Sequence, residues 1–212
     1  MVFYFTSNVE QPAAFIYVGK DKVENEDLIA HGWPEDVWFH VDNLSSAHIY
    51  LRLPEGSTWD SISEPLLVDC GQLTKANSIE GNKRDNITVI YTPWSNLKKS
   101  GAMATGQVGF KDNKLVKRVY VEKRENAIVN RLNKTKVEKH PDLRAEKADR
   151  EKELRKRERI QAQDKKQDAI IAEERAKIKW QKDHMYDELH TDDNVAESSN
   201  QDRDEDFLDD FM

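Results

Sequence analysis

From Val2 to Val121 the chain is a series of short runs of β-branched and aromatic residues. After Val121 the apolar positions thin out into a charged background. Val2 to Thr6 and Phe15 to Val18 read as strands, with a loop from Ser7 to Ala13 in which Pro12 is the breaker. Asn25 is the expected N-cap of a short helix through Ile29, closed by Gly32. Val37 to Val41 and Ala47 to Leu53 alternate cleanly. Val37, Phe39, Val41, Ile49, Leu51 and Leu53 fall on one face, and Trp38, His40, Asp42, His48, Tyr50 and Arg52 on the other. The linker Asn43 to Ser46 is short enough to make these two strands antiparallel neighbours. Ser61-Ile62-Ser63-Glu64 has capping-box spacing and Pro65 suits a first turn, so a helix is predicted from there to about Asn77, with Leu66, Leu67, Cys70 and Leu73 at helical spacing. Ile87 to Tyr91 reads as a strand and Pro93 to Lys99 as a loop. Val108 to Phe110 and Val116 to Val121 read as a last hairpin.

Glu125 to Val137 has the stripe of an amphipathic helix in Ile128, Val129 and Leu132. Pro141 opens a second helix. Residues 142–186 contain no glycine and no proline, and their few apolar residues are too irregular for a sustained heptad. Glu and Arg or Lys recur four apart, which favours a solvated, self-supported helix. From Asp187 the tail is acidic and too poor in apolar residues to fold alone. The predicted architecture is therefore α+β, a mostly antiparallel sheet with packed helices (residues 1–123), then an amphipathic and charged helical extension (124–186), then a disordered acidic tail (187–212).

Charge sharpens this picture. The net charge is −7 over 212 residues, yet it is segregated. Residues 1–74 balance at −9 and residues 187–212 at −10, while residues 75–139 carry 15 basic and 6 acidic side chains. A basic middle section in an acidic chain attracts a polyanion locally, with the tail as a candidate competitor. The one cysteine, Cys70, sits in an apolar helical run and reads as a small core residue. A reducing compartment, cytoplasmic or nuclear, is the simpler expectation. No stretch approaches the ~20 apolar residues of a spanning helix, so membrane association is expected only through a partner or an atypical segment.

The candidate chemistry lies on the polar face of the central strands. Trp38 and Tyr50 there offer stacking surfaces, Arg52 a phosphate contact and His40 and His48 hydrogen bonds. The same residues also fit a polar network that supports the fold, with Trp38 packed beneath a helix, and the sequence leaves both open. Asp36, His40, Asp42 and His48 match no catalytic or metal-binding spacing with a defined mechanism, so no cofactor or metal is expected and binding is favoured over catalysis. Lys20 and Lys22 on a glycine-started loop, and Lys98 and Lys99 beside Trp94, add candidate phosphate contacts. Lys114, Lys117, Arg118, Lys123 and Arg124 add further positive charge.

Over residues 1 to about 123 these pieces together resemble the NFACT-R domain. The resemblance rests on Gly19-Lys20-Asp21 with Glu24 to Leu28, Asp36-Val37-Trp38-Phe39-His40, His48 to Arg52, Lys75-Ala76-Asn77, Tyr91-Thr92-Pro93 and Gly106-Gln107-Val108. It implies nucleic-acid binding, with RNA the default ligand and DNA the alternative, and marks Asp36, Trp38 and His40 as motif residues. Larger family members carry further N-terminal domains and act on stalled ribosomal subunits, so that activity is not expected to carry over. Two alternatives stand beside the binding module. One is an adaptor whose charged helix and acidic tail recruit protein partners, ribosome-associated ones included. The other is an RNA-modifying enzyme centred on His40.

Overall fold

The alternation of the first half of the chain becomes a seven-stranded antiparallel sheet. The computed structural model describes residues 1–185; the acidic tail expected from Asp187 lies outside the described residues. Strands β1 (Val2–Ser7), β2 (Ala14–Gly19), β3 (Asp36–Val41), β4 (Ile49–Arg52), β5 (Ile87–Pro93), β8 (Lys117–Val121) and β9 (Val137–Lys139) are ordered β8-β5-β3-β4-β2-β1-β9. A second sheet pairs β6 (Leu97–Lys98) with β7 (Gly109–Phe110). The helices are α1 (Lys22–His31), α2 (Glu64–Asn77), α3 (Asn126–Asn133) and α4 (Leu143–Asp183). β3 and β4 pair as antiparallel neighbours with Trp38 opposite Tyr50 and Asp36 opposite Arg52, the register that the shared polar face requires.

Both faces of the sheet are covered. On one, Val37, Phe39, Val41, Ile49 and Leu51 meet Leu66, Cys70 and Leu73 of α2, with Leu132 of α3 beyond them. Cys70 is fully buried, and burial pushes its thiol up, so it acts as the small core residue expected. A buried carboxylate ties the helices to the sheet: Asp69 accepts from Ser7 Oγ at 2.5 Å and from Arg131 at 2.6 Å. On the other face Val2, Tyr17, Trp38, Tyr50 and Ile90 pack against Leu28 of α1 and Leu97 of β6, with Trp94, Phe110 and Leu143 around them. Gly32 is required here by close approach, because a Cβ at that position would lie 2.3 Å from the Trp94 indole. That indole donates to Ile29 O at 2.8 Å and so anchors the C-terminal end of α1.

Several local expectations are corrected. The α1 N-cap is Asp21, whose carboxylate accepts from the amides of Val23 and Glu24. Asn25 instead lies inside the helix and is buried. Ser63 caps α2 through its backbone, and Ser61 turns to Thr58, so the capping box does not form. The last hairpin does not form either: Gly109–Phe110 pairs with Leu97–Lys98, and Lys117–Val121 pairs with β5. The amphipathic helix stops at Asn133, and the chain returns as β9 along the edge of β1. The sequence signal overran because β9 is three residues long and fully exposed, so it carries no alternation.

The chain divides into two units, Met1–Glu151 and Lys152–Met212. Within the first, Lys147 donates to Ala30 O at 3.2 Å, and Arg150 reaches Glu35 and Glu55, each at 3.2 Å. In the second, the remainder of α4 has no buried residue and carries the i, i+4 pairs Glu153–Arg157 and Glu173–Lys177. This is the solvated helix that the charge pattern predicts. No helix among the described residues is long and apolar enough to cross a membrane.

Candidate nucleic-acid interface

The sheet's polar face resolves into a buried ion pair at one end and an imidazole pair near the other. Asp36 is fully buried and accepts from Arg52 Nε at 2.8 Å and NH2 at 3.0 Å, from Tyr17 Oη at 2.6 Å and from the Trp33 amide at 2.7 Å. The Arg52 guanidinium lies 3.6 Å over the Trp33 ring. Both charges are therefore spent inside the fold, and the geometry does not present Arg52 as a free phosphate contact. Asp36, a motif residue of unassigned role in the sequence, is the acceptor that four donors converge on.

Trp38 is 2% exposed and Tyr50 0%, so neither indole nor phenol is open to a base in this structure. The reading in which Trp38 packs beneath other elements is the one realised. Its ring stacks on His40 at 5.1 Å and meets Phe110 edge-on at 5.8 Å. His48 packs edge-on to both Trp38 (5.3 Å) and His40 (5.2 Å). His40 is half-buried and desolvation lowers its pKa. Burial, then the neighbouring His40, hold His48 down to about 3, with Glu26 opposing.

This depression has a consequence for stability. An unfolded histidine titrates near 6.5, so between that pH and about 3 the unfolded chain binds a proton that folded His48 refuses. The contribution is harmless above pH 6.5 and destabilises as pH falls, by about 1 kcal/mol per pH unit within the window. Denaturant unfolding at neutral and mildly acidic pH should show this slope in the wild type. The His48→Phe variant should lose it, and equal slopes would mean that His48 accepts a proton in the folded protein.

Exposed cations gather elsewhere, where the strand ends meet. The C-terminal ends of β2, β3 and β8 and the N-terminal ends of β4 and β5 lie together, because all these neighbours are antiparallel. That end carries exposed Lys20 and Lys22 after β2, Lys83 and Arg84 before β5, and Lys123 and Arg124 after β8. A cleft of about 210 Å³ there is lined by Lys20, Lys22, Asn25, Ser46, Asn77 and Ile79. Arg124 donates to Asn82 at 2.7 Å, which joins the last two segments. Along the sheet edge, Arg118 of β8 continues a row from His40 through Ile90, and Tyr120 lies on the same face, 63% exposed. Asp42 takes part as the 3.7 Å partner of Arg118.

Two lysines of the basic section are internal, and one of them, Lys99, was a candidate phosphate contact. Lys99 donates to Glu26 at 2.6 Å and to the carbonyls of Ala104 and Gln107, both at 2.9 Å. Lys75 is fully buried, donating to the carbonyls of Gly81 and Arg84, and burial lowers its pKa. Lys98 is exposed on β6. Of the residues singled out from sequence, Lys20, Lys22, Lys98 and part of His40 thus stand at the surface, whereas Trp38, His48, Arg52 and Lys99 are engaged internally. Lys83, Arg84 and Tyr120, exposed at this end and edge, were not among the residues singled out from sequence. The signal for Tyr120 was its i, i+2 spacing from Arg118 on an edge strand. Among the described residues no three His, Cys, Asp or Glu side chains come together as a metal-ligating group.

The antiparallel sheet, covered on both faces, thus carries exposed cations at one end and along one edge. The family model described as the NFACT protein RNA binding domain matches residues 1–112, and the chain belongs to that family. It is similar to coiled-coil domain-containing protein 25 of Danio rerio, 63% identical over 155 residues that cover 73% of this chain and 75% of that protein. Protein JLP2 of Saccharomyces cerevisiae is 43% identical over 143 residues, covering 65% of this chain and 69% of that one. Among solved structures, the C-terminal part of the fibronectin/fibrinogen-binding protein of Streptococcus suis aligns with a TM-score of 0.50 at 17% identity, over 63% of this chain and 48% of that one. The last match shows the fold alone.

Proposed function

We propose that the chain binds RNA, and that the strand, phosphates first, lies across the cationic end of the sheet and along β8. Family membership supports a nucleic-acid ligand, with RNA named in the family's own description. The observation that carries the rest is the convergence of Lys20, Lys22, Lys83, Arg84, Lys123 and Arg124 on one end, continuous with exposed Arg118 and Tyr120 on an edge strand. Lysines and arginines neutralise phosphates, and an exposed tyrosine among them stacks an unpaired base. Half-buried His40 borders this row, and Lys98 is a further candidate contact on the neighbouring hairpin. DNA offers the same phosphates, so 2′-hydroxyl discrimination is a separate property of the site.

Binding of a fluorescent single-stranded RNA by the full chain should weaken steeply with added salt. The logarithm of affinity should fall linearly with that of salt, at a slope of roughly −0.7 for each phosphate neutralised. A slope near zero, or no affinity at low salt, would remove the electrostatic basis of this reading.

A further inference from the structure

The polar face holds three buried side-chain atoms without a hydrogen-bond partner: Trp38 Nε1, His48 Nδ1 and Tyr50 Oη. Each belongs to a residue no more than 8% exposed. Leaving such atoms unpaired is costly, and their clustering in one place calls for an explanation. Trp38 and Tyr50 sit opposite each other across β3 and β4, and His48 is packed edge-on to the Trp38 ring. Glu26 acts electrostatically on both His48 and Tyr50.

Leu28 of α1 and Leu97 and Phe110 of the β6–β7 sheet cover this cluster, and the loop between those strands reaches it at Gly106, whose backbone hydrogen-bonds His48. The β6–β7 sheet has only two residues in each strand. Between its strands runs the flap Ser100–Gln107, small residues and two glycines for the most part, with Gly106 at φ +79°. The flap is tied down at His48, through the Gly106 backbone, and at Glu26. Glu26 accepts from Lys99 Nζ and from the Gly106 amide, while the same Lys99 holds the carbonyls of Ala104 and Gln107. Gly106 also lies against Lys22, at the cationic end of the sheet. Burial alone would raise the Glu26 carboxyl, but the hydrogen bonds from Lys99 and Gly106 outweigh it and the net shift is downward. The fastening at Glu26 is therefore an ionised carboxylate that a phosphate can replace on Lys99, in a pair a quarter to a third exposed.

We propose that the Ser100–Gln107 flap, lifting together with the β6–β7 strands that carry Phe110, is the removable cover of a base-binding pocket floored by Trp38, His48 and Tyr50, whose ligand is a single nucleobase turned out of a bound RNA strand. This rests on the RNA-binding reading above and specifies what one part of the surface takes from the strand. A phosphodiester competes with Glu26 for Lys99, the flap lifts, and the base enters beside Lys22. Trp38 Nε1 donates, neutral His48 offers an acceptor or a donor at Nδ1, and the Tyr50 hydroxyl serves as either, a mixed set suited to a Watson–Crick edge. The indole face supplies stacking once Phe110 moves aside. Extruding a base costs least in an already single-stranded RNA.

The experiment compares an oligouridylate or oligoadenylate with an abasic ribose-phosphate strand of equal length, using the full chain. The Trp38 indole N–H is followed by NMR and assigned with Trp38→Phe. Base-bearing RNA should bind roughly tenfold tighter than the abasic strand and should move the Trp38 resonance. The Glu26→Gln variant frees Lys99 for phosphate and should tighten both strands, the base-bearing RNA by a several-fold larger factor than the abasic strand. Equal affinity for the two strands overturns the pocket while leaving the phosphate surface intact. So does a Trp38 resonance that stays still at saturation, exchanging with water only. If neither strand binds, both the pocket and the RNA-binding reading fall. The wild-type indole measurement decides the matter even if Glu26→Gln does not fold.

Discussion

Replacing Asp36 by alanine is expected to cost the fold about 3 kcal/mol, the largest loss from any single polar side chain in the sheet. Four donors converge on its carboxylate, and none has another acceptor of comparable quality at hand. The Arg52 side chain is 22% exposed, so water relieves part of the unpaired charge, which places the cost at the lower end of the range for broken buried pairs. Asp36→Asn keeps the shape and one oxygen but loses the charge and should cost less. The paired change Asp36→Leu with Arg52→Met removes both charges together and should recover much of the loss, because neither is then left buried alone. Urea unfolding of the four proteins measures this directly. A cost below about 1 kcal/mol for Asp36→Ala would mean that solvent reaches the network and that its motif residues are held for another reason.

The central strands were legible because their alternation is unbroken. Val37, Phe39 and Val41 against Trp38 and His40 fix which face each side chain takes, and the short Asn43–Ser46 linker fixes the pairing. What alternation cannot show is whether a face is covered. The cover over Trp38 comes from Leu97 and Phe110, on strands of two residues each, and from Leu28 of a helix whose N-cap was misplaced by four positions. Strands that short carry no period. The same limit hid β9, which closes the sheet edge beside β1.

Charge counting met a different limit. It marked residues 75–139 as basic but could not separate cations facing solvent from those binding the chain itself. Lys75 and Lys99 each hold backbone carbonyls of a nearby loop, an internal use of lysine that resembles a phosphate contact in composition. Arg118, by contrast, was legible as positive charge, but its place beside Tyr120 on an open edge became clear only when β8 proved to be an edge strand, since the same residues in a central strand would face neighbours. The candidate site is thus defined by topology acting on composition: antiparallel pairing gathers segments far apart in sequence at one sheet end.

Reversing Arg118, Lys123 and Arg124 together to glutamate is expected to weaken RNA binding about a hundredfold at moderate salt. All three side chains are exposed. The Arg118 pair with Asp42 is long, at 3.7 Å, and surface pairs of this kind contribute little to stability, so unfolding should be nearly unchanged. The salt dependence should flatten by about two units of slope, as three phosphate contacts become repulsive. Reversal of Lys156 and Arg159 on α4 provides the contrast. These lie in the second unit, on the helix that an adaptor would use, and their reversal should leave RNA affinity within about twofold. Should the helix reversal instead cost as much as the β8 reversal, binding would be a property of distributed charge, and the sheet edge would lose its claim to be the interface. A fully retained affinity in the β8 variant, with its fold intact, would place the phosphates away from this edge altogether.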